Sequence, residues 1–403
     1  MALRIKRRHR VLYLSYDGML EPLGQSQVVA YLERLAGERC IHLLSFEKSE
    51  DWADRDRRER SRSRLRAVGI HWHPRRYHKR PSALATAWDI GVGTLSALWL
   101  VLRHRLRIVH VRSYVAAVMA LAVKRLTGAK FVFDMRGFWA DERVDGGLWP
   151  RDGRMFRVAK WFERKFLLRA DHVVSLTHAA VTEMDKFDYL QGRMPPVTVI
   201  PTCADLSLFR PIEGARDPQH FTLGYVGSAG TWYLFDATVA AFRHLKDRRP
   251  DARMLVVNRG EHGLIRDKLQ AGGVDPAAVE LRQADPTEIP ALMARMDAAM
   301  FFIKPVFSKQ ASAPTKLGEF LGCGIPCLAN SGVGDMADIL REDRVGVAVD
   351  AMDEASLRQG VDALLALCGE LGVRARCVES AQRRFSLDEG VRRYAAVYRS
   401  LGV

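Results

Sequence analysis

The chain has 403 residues, of which 48% are hydrophobic and 27% charged, the composition of an ordinary globular protein. The length suffices for two domains of about 200 residues each, and the lack of any solenoid period excludes a repeat array. The net charge of +15 is unevenly distributed: residues 1–200 hold 37 Lys and Arg against 21 Asp and Glu, and the remaining residues hold 25 against 26. The basic first half predicts an anionic partner, such as a membrane surface, a lipid phosphate or a nucleic acid.

The cysteines indicate a reducing compartment. They are scattered, show no zinc-type pairing with histidine and suggest no disulfide framework; the six are Cys40, Cys203, Cys323, Cys327, Cys368 and Cys377. The basic N-terminus, 1–10, is followed by an apolar stretch that covers only 11–14, which is too short for the core of a signal peptide. We therefore expect a cytoplasmic protein.

Residues 83–102 form a nearly apolar segment that could just span a bilayer. It carries Trp88 and Trp99, and basic residues flank it on both sides. Asp89 interrupts the apolar run, and two glycines lower its helix propensity. These features favour a helix that is buried or dips into a membrane surface over a helix that spans the membrane.

Strand and helix patterns alternate in the first half. Strands are predicted at 11–15, 41–46, 108–111, 130–134, 172–176 and 197–200, and helices at 28–36, 51–66, 116–126 and 154–169. This alternation predicts a parallel, doubly wound sheet.

A proline-bearing linker, 206–218, separates the predicted first domain, 1–205, from a second domain, 219–385, in which the pattern restarts. Strands are predicted there at 222–226, 253–257, 279–282, 298–303 and 345–349, and helices at 235–245, 261–271 and 288–296. Two Rossmann-like halves leave a cleft between the carboxyl ends of their sheets, where open α/β sheets bind ligands.

Residues 312–326 are the most informative segment, because they follow a buried strand and begin a helix. The segment places Thr315 and Lys316 at the helix start and Glu319 one turn later. Free backbone N–H groups at such a start attract phosphate, and a carboxylate one turn into the helix can accept hydrogen bonds from ribose hydroxyls. The segment therefore predicts a nucleotide-sugar site.

Two glycine-containing loops also follow predicted strands. The loop 17–27 includes Gly24 and is long for a βα turn, so we expect it near the donor phosphates. Gly227 and Ser228 begin the second loop, directly after the first strand of the second half. Lys309 and Lys316 can neutralise a diphosphate leaving group without a metal, and no Asp-x-Asp metal motif stands at a suitable strand end.

The strand ends of the first half supply the remaining candidates. Arg112 and Ser113 are predicted at the cleft, while His110 before them is either a core histidine or a site residue. The loop 134–142 combines acids with an arginine, which favours a catalytic or acceptor-binding loop over a local ion pair. Its candidates are Asp134, Arg136, Asp141 and Glu142.

Together these segments resemble the retaining glycosyltransferases of family 4, which have the GT-B fold. The resemblance covers nearly the whole chain and rests on 14–27, 110–113, 134–142, 200–205, 225–228, 312–326 and 385–398. It implies two Rossmann-like domains that face a central cleft and a last helix, 386–403, that crosses back onto the first domain.

The resemblance also assigns roles to single residues. Glu319 matches the second acid of the family's Glu-x7-Glu motif, which binds the donor ribose. Ser312 stands where the first acid usually contacts the sugar, and Arg136 stands where the family often has a donor-contacting histidine. These departures resemble a branch that assembles bacterial surface polysaccharides, where acceptors are commonly lipid-linked.

The implied function is transfer of a sugar, with retention, from a UDP- or GDP-sugar to a glycan or lipid-linked acceptor at the inner face of the cytoplasmic membrane. Asp134, Arg136 and Lys309 are the predicted catalytic residues, and no metal or other cofactor is expected. The donor residues are Gly24, Gly227, Ser228, Ser312, Thr315, Lys316 and Glu319; the acceptor residues are Arg112, Ser113, Asp141 and Glu142. A sugar-nucleotide 2-epimerase of the same fold is the alternative. A nucleic-acid-binding protein is a weaker one, because no recognised nucleic-acid motif occurs.

Overall fold

The computed structural model describes residues 9–37, 39–80 and 82–402, so most of the basic N-terminal segment lies outside the described residues. Two parallel sheets, each covered by helices, form two successive α/β units of the chain. This confirms the predicted α/β architecture of two Rossmann-like halves.

The first sheet has the strand order β3-β2-β1-β4-β5-β6-β7. All strands are parallel, and the order in which the chain adds them changes sides between β1 and β4. Its strands are β1 (His9–Ser15), β2 (Arg39–Glu47), β3 (Ile70–Arg76), β4 (Ile108–Arg112), β5 (Lys130–Asp134), β6 (His172–Ser175) and β7 (Val197–Val199). The helices between them are α1 (Pro22–Gly24), α2 (Ala30–Leu35), α3 (Ser49–Ala53), α4 (Arg55–Ala67), α5 (Ser82–His104), α6 (Ser113–Thr127), α7 (Trp139–Asp145), α8 (Arg154–Arg169) and α9 (His178–Asp185). A π-helical turn joins α1 to α2.

The second sheet has the order β10-β9-β8-β11-β12-β13. Its strands are β8 (Thr222–Val226), β9 (Arg253–Val257), β10 (Val279–Arg282), β11 (Ala298–Met300), β12 (Cys327–Asn330) and β13 (Gly346–Val349). The helices are α10 (Phe235–Arg248), α11 (His262–Ala271), α12 (Ile289–Ala294), α13 (Thr315–Gly322), α14 (Met336–Glu342), α15 (Glu354–Cys368), α16 (Val373–Phe385) and α17 (Leu387–Ser400). A 3-10 segment, Phe307–Ala311, precedes α13.

The sequence patterns missed two strands, β3 and β12, and several helices, including α7, α9 and α14. β3 lacks an apolar run because it is an edge strand, in which buried Ile70 and Trp72 alternate with polar residues. β12 follows the Gly-Pro end of α13 so closely that it merged with the predicted helix stop. The loop predicted over 134–142 contains α7, and the helix predicted over 51–66 is divided at Asp54, which caps α4.

α5 packs as a layer helix of the first domain and contacts α6, β1 and β2. Asp89, which the sequence analysis treated as an interruption, is buried and accepts hydrogen bonds from Tyr16 Oη (2.9 Å) and from the backbone N–H of His78 (3.0 Å). Gly93 is needed for packing, because a Cβ there would lie 2.4 Å from Met119 Sδ. Among the described residues, Ala83–His104 is the one helix that is long and apolar enough to cross a membrane, judged by length and composition alone. A third of its most apolar 18-residue stretch is buried inside the protein.

α17 returns from the second domain and packs on α2 of the first. Its Tyr394 Oη donates a hydrogen bond of 2.8 Å to the buried Asp134 carboxylate, and Tyr398 Oη lies 2.5 Å from Nδ1 of His110. His110 is therefore a core histidine, one of the two alternatives left open above. The two aromatic residues bring the end of the chain into the core under β1 and β2.

Substitution Tyr398→Ala is expected to destabilise the first domain by about 3–5 kcal/mol, because it removes a fully buried ring and leaves a cavity. Seven of the eight tryptophans lie in the first half of the chain, so the urea midpoint of tryptophan fluorescence reports this domain. Arg392→Ala on the exposed face of the same helix is the matched control, with an expected change within about 0.5 kcal/mol. Equal midpoints for the two variants would contradict the packing role of α17.

Candidate active site

The loops at the carboxyl ends of the two sheets meet across a cleft, and the Phe307–Ala311 segment is the main contact between them. Ser308 N donates a hydrogen bond of 2.9 Å to Asp145 Oδ2 in α7, and Thr177 Oγ1 donates one of 2.7 Å to Gln310 O. The rings of Phe138 and Phe307 stack with centroids 5.2 Å apart. The second domain thus places this segment directly against the strand ends of the first.

Lys316 is the most unusual charged residue of the cleft. It lies in the first turn of α13, where its ammonium group faces the ring of Tyr233 at 3.9 Å and has no hydrogen-bond partner among the described residues. Burial lowers the pKa of Lys316 to about 7, against the opposing effect of the Glu319 carboxylate. A buried cation without an acceptor is costly unless a ligand supplies one.

Glu319 follows Lys316 by three residues, so the two side chains lie on the same side of α13. Burial raises the pKa of Glu319 to about 7, although the Lys316 ammonium opposes this shift. Thr315 begins the helix and is half-buried, as is Ser312 just before it. The free N–H groups of this first turn, the ammonium and the carboxylate therefore form one compact polar site.

The loop after β8 faces this site. Gly227 has φ 114°, and a Cβ there would lie 2.6 Å from Lys316 Nζ, so only glycine fits between the loop and the lysine. Ser228 Oγ donates a hydrogen bond of 2.7 Å to Glu261, which also accepts from the N–H groups of Ala229 and Gly230. No local sequence pattern marks Glu261 as a site residue, since its position is set by contacts between two strand ends.

Lys309 bridges the two halves of the cleft. Its ammonium group lies 2.7 Å from Glu142 Oε1 in α7 and 3.8 Å from the centre of the Trp232 ring. The structure thus joins a predicted catalytic residue to a predicted acceptor residue across the domains. Trp232 was missed, although its place directly after the glycine-containing loop is a signal that could have identified it.

Asp134 and Arg136 lie together at the end of β5, with Arg136 Nη1 3.9 Å from Asp134 Oδ1. Burial would raise the pKa of Asp134, but the Arg136 guanidinium and His110 hold it below its usual value. The carboxylate is enclosed by Tyr394, His110 and Arg136, and only 1% of Asp134 is exposed. Arg136, which also contacts Thr202 Oγ1 at 3.5 Å, is the member of the pair nearer the surface.

Two non-glycine residues at neighbouring strand ends have left-handed backbones. Ser113 after β4 has φ 69°, and Arg136 after β5 has φ 58°. Such conformations cost about 1–3 kcal/mol each and are concentrated at functional sites. They aim the loops after β4 and β5 at the same part of the cleft.

A cavity of about 750 Å³ lies in the first domain between the first half of α5 and the α7–α8 segment. Arg112, Ser113 and Asp17 contribute polar groups to it, and Arg112 Nε lies 3.2 Å from Asp17 Oδ2. Nη1 of Arg112 is buried without a hydrogen-bond partner among the described residues. The rest of the wall is largely apolar and aromatic, and includes Phe46, Tyr77, Ile90, Trp139, Trp149 and Met155.

Two predicted residues occupy structural positions. Gly24 ends α1, where a Cβ would lie 2.0 Å from Gly18 O, so close packing requires glycine there. Asp141 is buried in α7 and pairs with Lys160 Nζ at 3.0 Å. These contacts do not test whether Gly24 or Asp141 takes part in binding. They place both residues apart from the groups that meet in the cleft.

Comparison with known proteins agrees with this geometry. Residues 24–203 match a family model described as a glycosyl transferase 4-like domain, and residues 220–367 match one described as glycosyl transferases group 1. The chain belongs to the GT-B glycosyltransferases. No curated relative matches the chain significantly.

Solved structures share the fold of this glycosyltransferase at low identity. A sucrose-phosphate synthase from Thermosynechococcus elongatus has a TM-score of 0.72 at 15% identity, covering 98% of this chain and 99% of the other. Anabaena HepE, solved in complex with UDP-glucose, has a TM-score of 0.68 at 14% identity, covering 97% and 99%. WaaG, a glycosyltransferase involved in lipopolysaccharide biosynthesis, has a TM-score of 0.61 at 12% identity, covering 94% and 98%.

Substitution Lys316→Met is expected to raise the stability of the ligand-free glycosyltransferase by about 1–3 kcal/mol, because it removes an unsatisfied buried cation. Since burial lowers the folded-state pKa of Lys316 to about 7 from an ordinary value near 10.5, the gain is largest at or below pH 7. It shrinks as the pH rises above 7, where the unfolded state still binds the proton that the folded state has lost.

The measurement is thermal unfolding of both proteins between pH 6 and pH 10. Lys304→Met serves as the control, because Lys304 is exposed in the same region. A loss of stability in Lys316→Met would show that the ammonium has an acceptor in the free protein.

Proposed function

We propose that this glycosyltransferase transfers a sugar, with retention, from a UDP- or GDP-sugar to an anionic, lipid-linked or glycan acceptor during bacterial surface-polysaccharide synthesis. The observation that carries the donor half of the proposal is the buried Lys316 ammonium, which faces Gly227 and has no acceptor in the part of the chain that the structure describes. A nucleoside diphosphate supplies the missing negative charge. The complex of HepE with UDP-glucose supports this choice of ligand class by analogy of fold.

In the proposed donor complex, the diphosphate lies between the N-terminal turn of α13 and the Gly227 loop. The turn offers free N–H groups and the favourable end of the helix dipole, while Lys316 supplies a full charge. Glu319 accepts hydrogen bonds from the ribose hydroxyls. Lys316 and Lys309 stabilise the negative charge that develops on the leaving diphosphate, so the reaction proceeds without a bound metal.

The proposed transfer is a front-face displacement. The bond between the anomeric carbon and the diphosphate oxygen breaks as the acceptor hydroxyl oxygen bonds to the same face, and the hydroxyl proton passes to the departing phosphate. Arg136 contacts the reacting groups at the cleft. Asp134 is too enclosed to reach them and positions Arg136 through its charge.

The acceptor half of the proposal rests on the cavity in the first domain. Nη1 of Arg112 has no hydrogen-bond partner among the described residues, although Arg112 Nε pairs with Asp17. Lys48, which pairs with Glu21, and Arg143 add positive charge, and most of the remaining wall is apolar and aromatic. Charged donors beside an apolar surface fit an acceptor with a phosphate group and a hydrocarbon chain. A 2-epimerase needs no such cavity, which favours the transferase.

A membrane location is part of the proposal. α5 presents an apolar face of five residues that are 58% to 72% exposed, spaced so that they lie on one side of the helix: Leu84, Trp88, Leu95, Trp99 and Leu102. α6 contacts both α5 and α8, and α8 adds exposed Met155, Val158 and Trp161 among exposed arginines. An apolar surface with a basic surround suits the anionic inner face of the cytoplasmic membrane.

A panel of nucleotide sugars tests the donor assignment by thermal shift. We expect one UDP- or GDP-sugar to stabilise the protein, and Glu319→Gln to weaken that sugar's affinity by about tenfold to a hundredfold, because a charged hydrogen bond contributes about 1.5–3 kcal/mol. The active donor is then incubated with and without polyprenyl-diphosphate-linked sugars. Formation of an epimer from the donor alone would defeat the transferase proposal.

The double substitution Trp88→Glu and Trp99→Glu is expected to weaken binding to anionic phospholipid vesicles by about tenfold or more, because each tryptophan loses about 1.5–3 kcal/mol of apolar burial. Co-sedimentation with vesicles gives the bound fraction. Leu371→Glu is the control, since Leu371 is 98% exposed in the second domain. The membrane part of the proposal fails if both variants bind as the unmodified protein does.

A further inference from the structure

Four histidines and a cysteine converge at the end of the first sheet that lies away from the cleft. Cys40 and His42 lie near the start of β2, His71 and His73 near the start of β3, and His104 at the end of α5. The parallel register pairs His42 with His71, and residues two apart on a strand share a face. The five side chains are therefore on the face of the sheet that α5 covers.

The distances in this cluster are short. The ligand atoms of Cys40, His42 and His71 all lie within 4.8 Å of one another. The His104 ring centre is 4.2 Å from that of His42, and His73 Nε2 lies 3.1 Å from His42 Nδ1.

We propose that Cys40, His42 and His71 bind one zinc ion, with His104 beside them for the fourth position. Thiolate and imidazole are the ligands that zinc prefers, whereas magnesium and calcium prefer oxygen. The contact with His73 occupies Nδ1 of His42 and leaves Nε2 for the metal. This is the arrangement in which a second group fixes the tautomer of a ligating histidine, so His73 is a positioning residue.

The exposure of the cluster suits an ion that enters from solvent. His42 is buried, Cys40 is half-buried and His71 is exposed. The ring of exposed His71 stacks on that of His42, with centres 4.8 Å apart. A change of the His71 rotamer would close the three donors to the roughly 3.3–3.8 Å that tetrahedral bonds of about 2.0–2.3 Å require.

The ion would join three elements, namely β2, the edge strand β3 and the end of α5. β3 is the last strand of its sheet, and α5 ends at His104, next to Trp99 of the apolar face. A shared metal fixes the edge strand to the end of that helix. The site lies apart from the transfer reaction, so the proposal stands or falls independently of the donor and the acceptor.

Spacing along the chain shows no zinc-type pairing of cysteine with histidine, which is why no metal was expected from the sequence. In the sequence, 28 residues lie between the pair Cys40-x-His42 and the pair His71-x-His73. Only the register of two parallel strands brings the pairs together.

The test uses the full chain without an affinity tag, stripped with a chelator and titrated with Zn²⁺ against a chromogenic competitor. We expect one ion per chain and an increase in the melting temperature on binding. Replacement by Co²⁺ should give a tetrahedral ligand-field spectrum with a thiolate charge-transfer band. Cys40→Ser should abolish that band.

Exposed His71 is the safest ligand to remove, and His71→Ala should weaken zinc binding by about a hundredfold or more. His73→Ala should weaken it by about tenfold to a hundredfold while keeping the thiolate band, as expected for a residue that only orients the ligating His42. Cys368→Ser and His220→Ala, outside the cluster, are the controls. Affinity that is equal in His71→Ala and in the controls, or a cobalt spectrum without a thiolate band, would overturn the proposal.

Discussion

The hydrogen bond from Tyr394 to the buried carboxylate of Asp134 connects residues 260 positions apart and fixes the end of the chain in the core of the first domain. The same carboxylate faces Arg136 on its other side. A buried charge is tolerable only when such partners surround it. The buried Asp134 carboxylate therefore links three features: the position of α17, its own ionisation and the orientation of Arg136 at the cleft. All three depend on the return of the chain from the second domain to the first.

The donor side of the cleft follows the opposite rule, because there a buried charge is left without its partner. Lys316 is surrounded by aromatic rings and by a glycine that brings the backbone close. The ammonium group of Lys316 has already lost its water shell in the empty site. An anion that binds there gains the full charge interaction without further desolvation of the lysine. Stability of the free protein and affinity for the donor thus oppose each other in a single side chain.

Much of this architecture could be predicted from local patterns. The apolar runs at β1, β5 and β8 are buried on both faces, so each is visible in the sequence by itself, and the helix start at Thr315 has its own polar signal. β3 was missed, because the other strands were found as apolar runs, and in β3 polar residues and Pro74 interrupt any such run.

The site residues divide in the same way. Lys316, Glu319 and Gly227 follow strand ends and could be named from the sequence, although their roles remain predictions. Glu261, Trp232 and the unsatisfied Nη1 of Arg112 depend on contacts between distant segments, which no local pattern contains. Asp141 was predicted from its acidic side chain after a strand, and its pairing with Lys160 inside the domain is another contact that no local pattern contains.

The two connections between the domains run side by side. Ala204 N donates a hydrogen bond of 2.8 Å to Phe385 O, and Leu387 N donates one of 3.1 Å to Ala204 O, so the outgoing and returning chains are paired where they cross. The two hydrogen bonds fix the separation of the crossing segments at this point, so the start of α17 is held beside the segment that leaves the first domain. The place where α17 begins to pack on the first domain is thus set by backbone groups and does not depend on the side chains at Ala204 and Ser386.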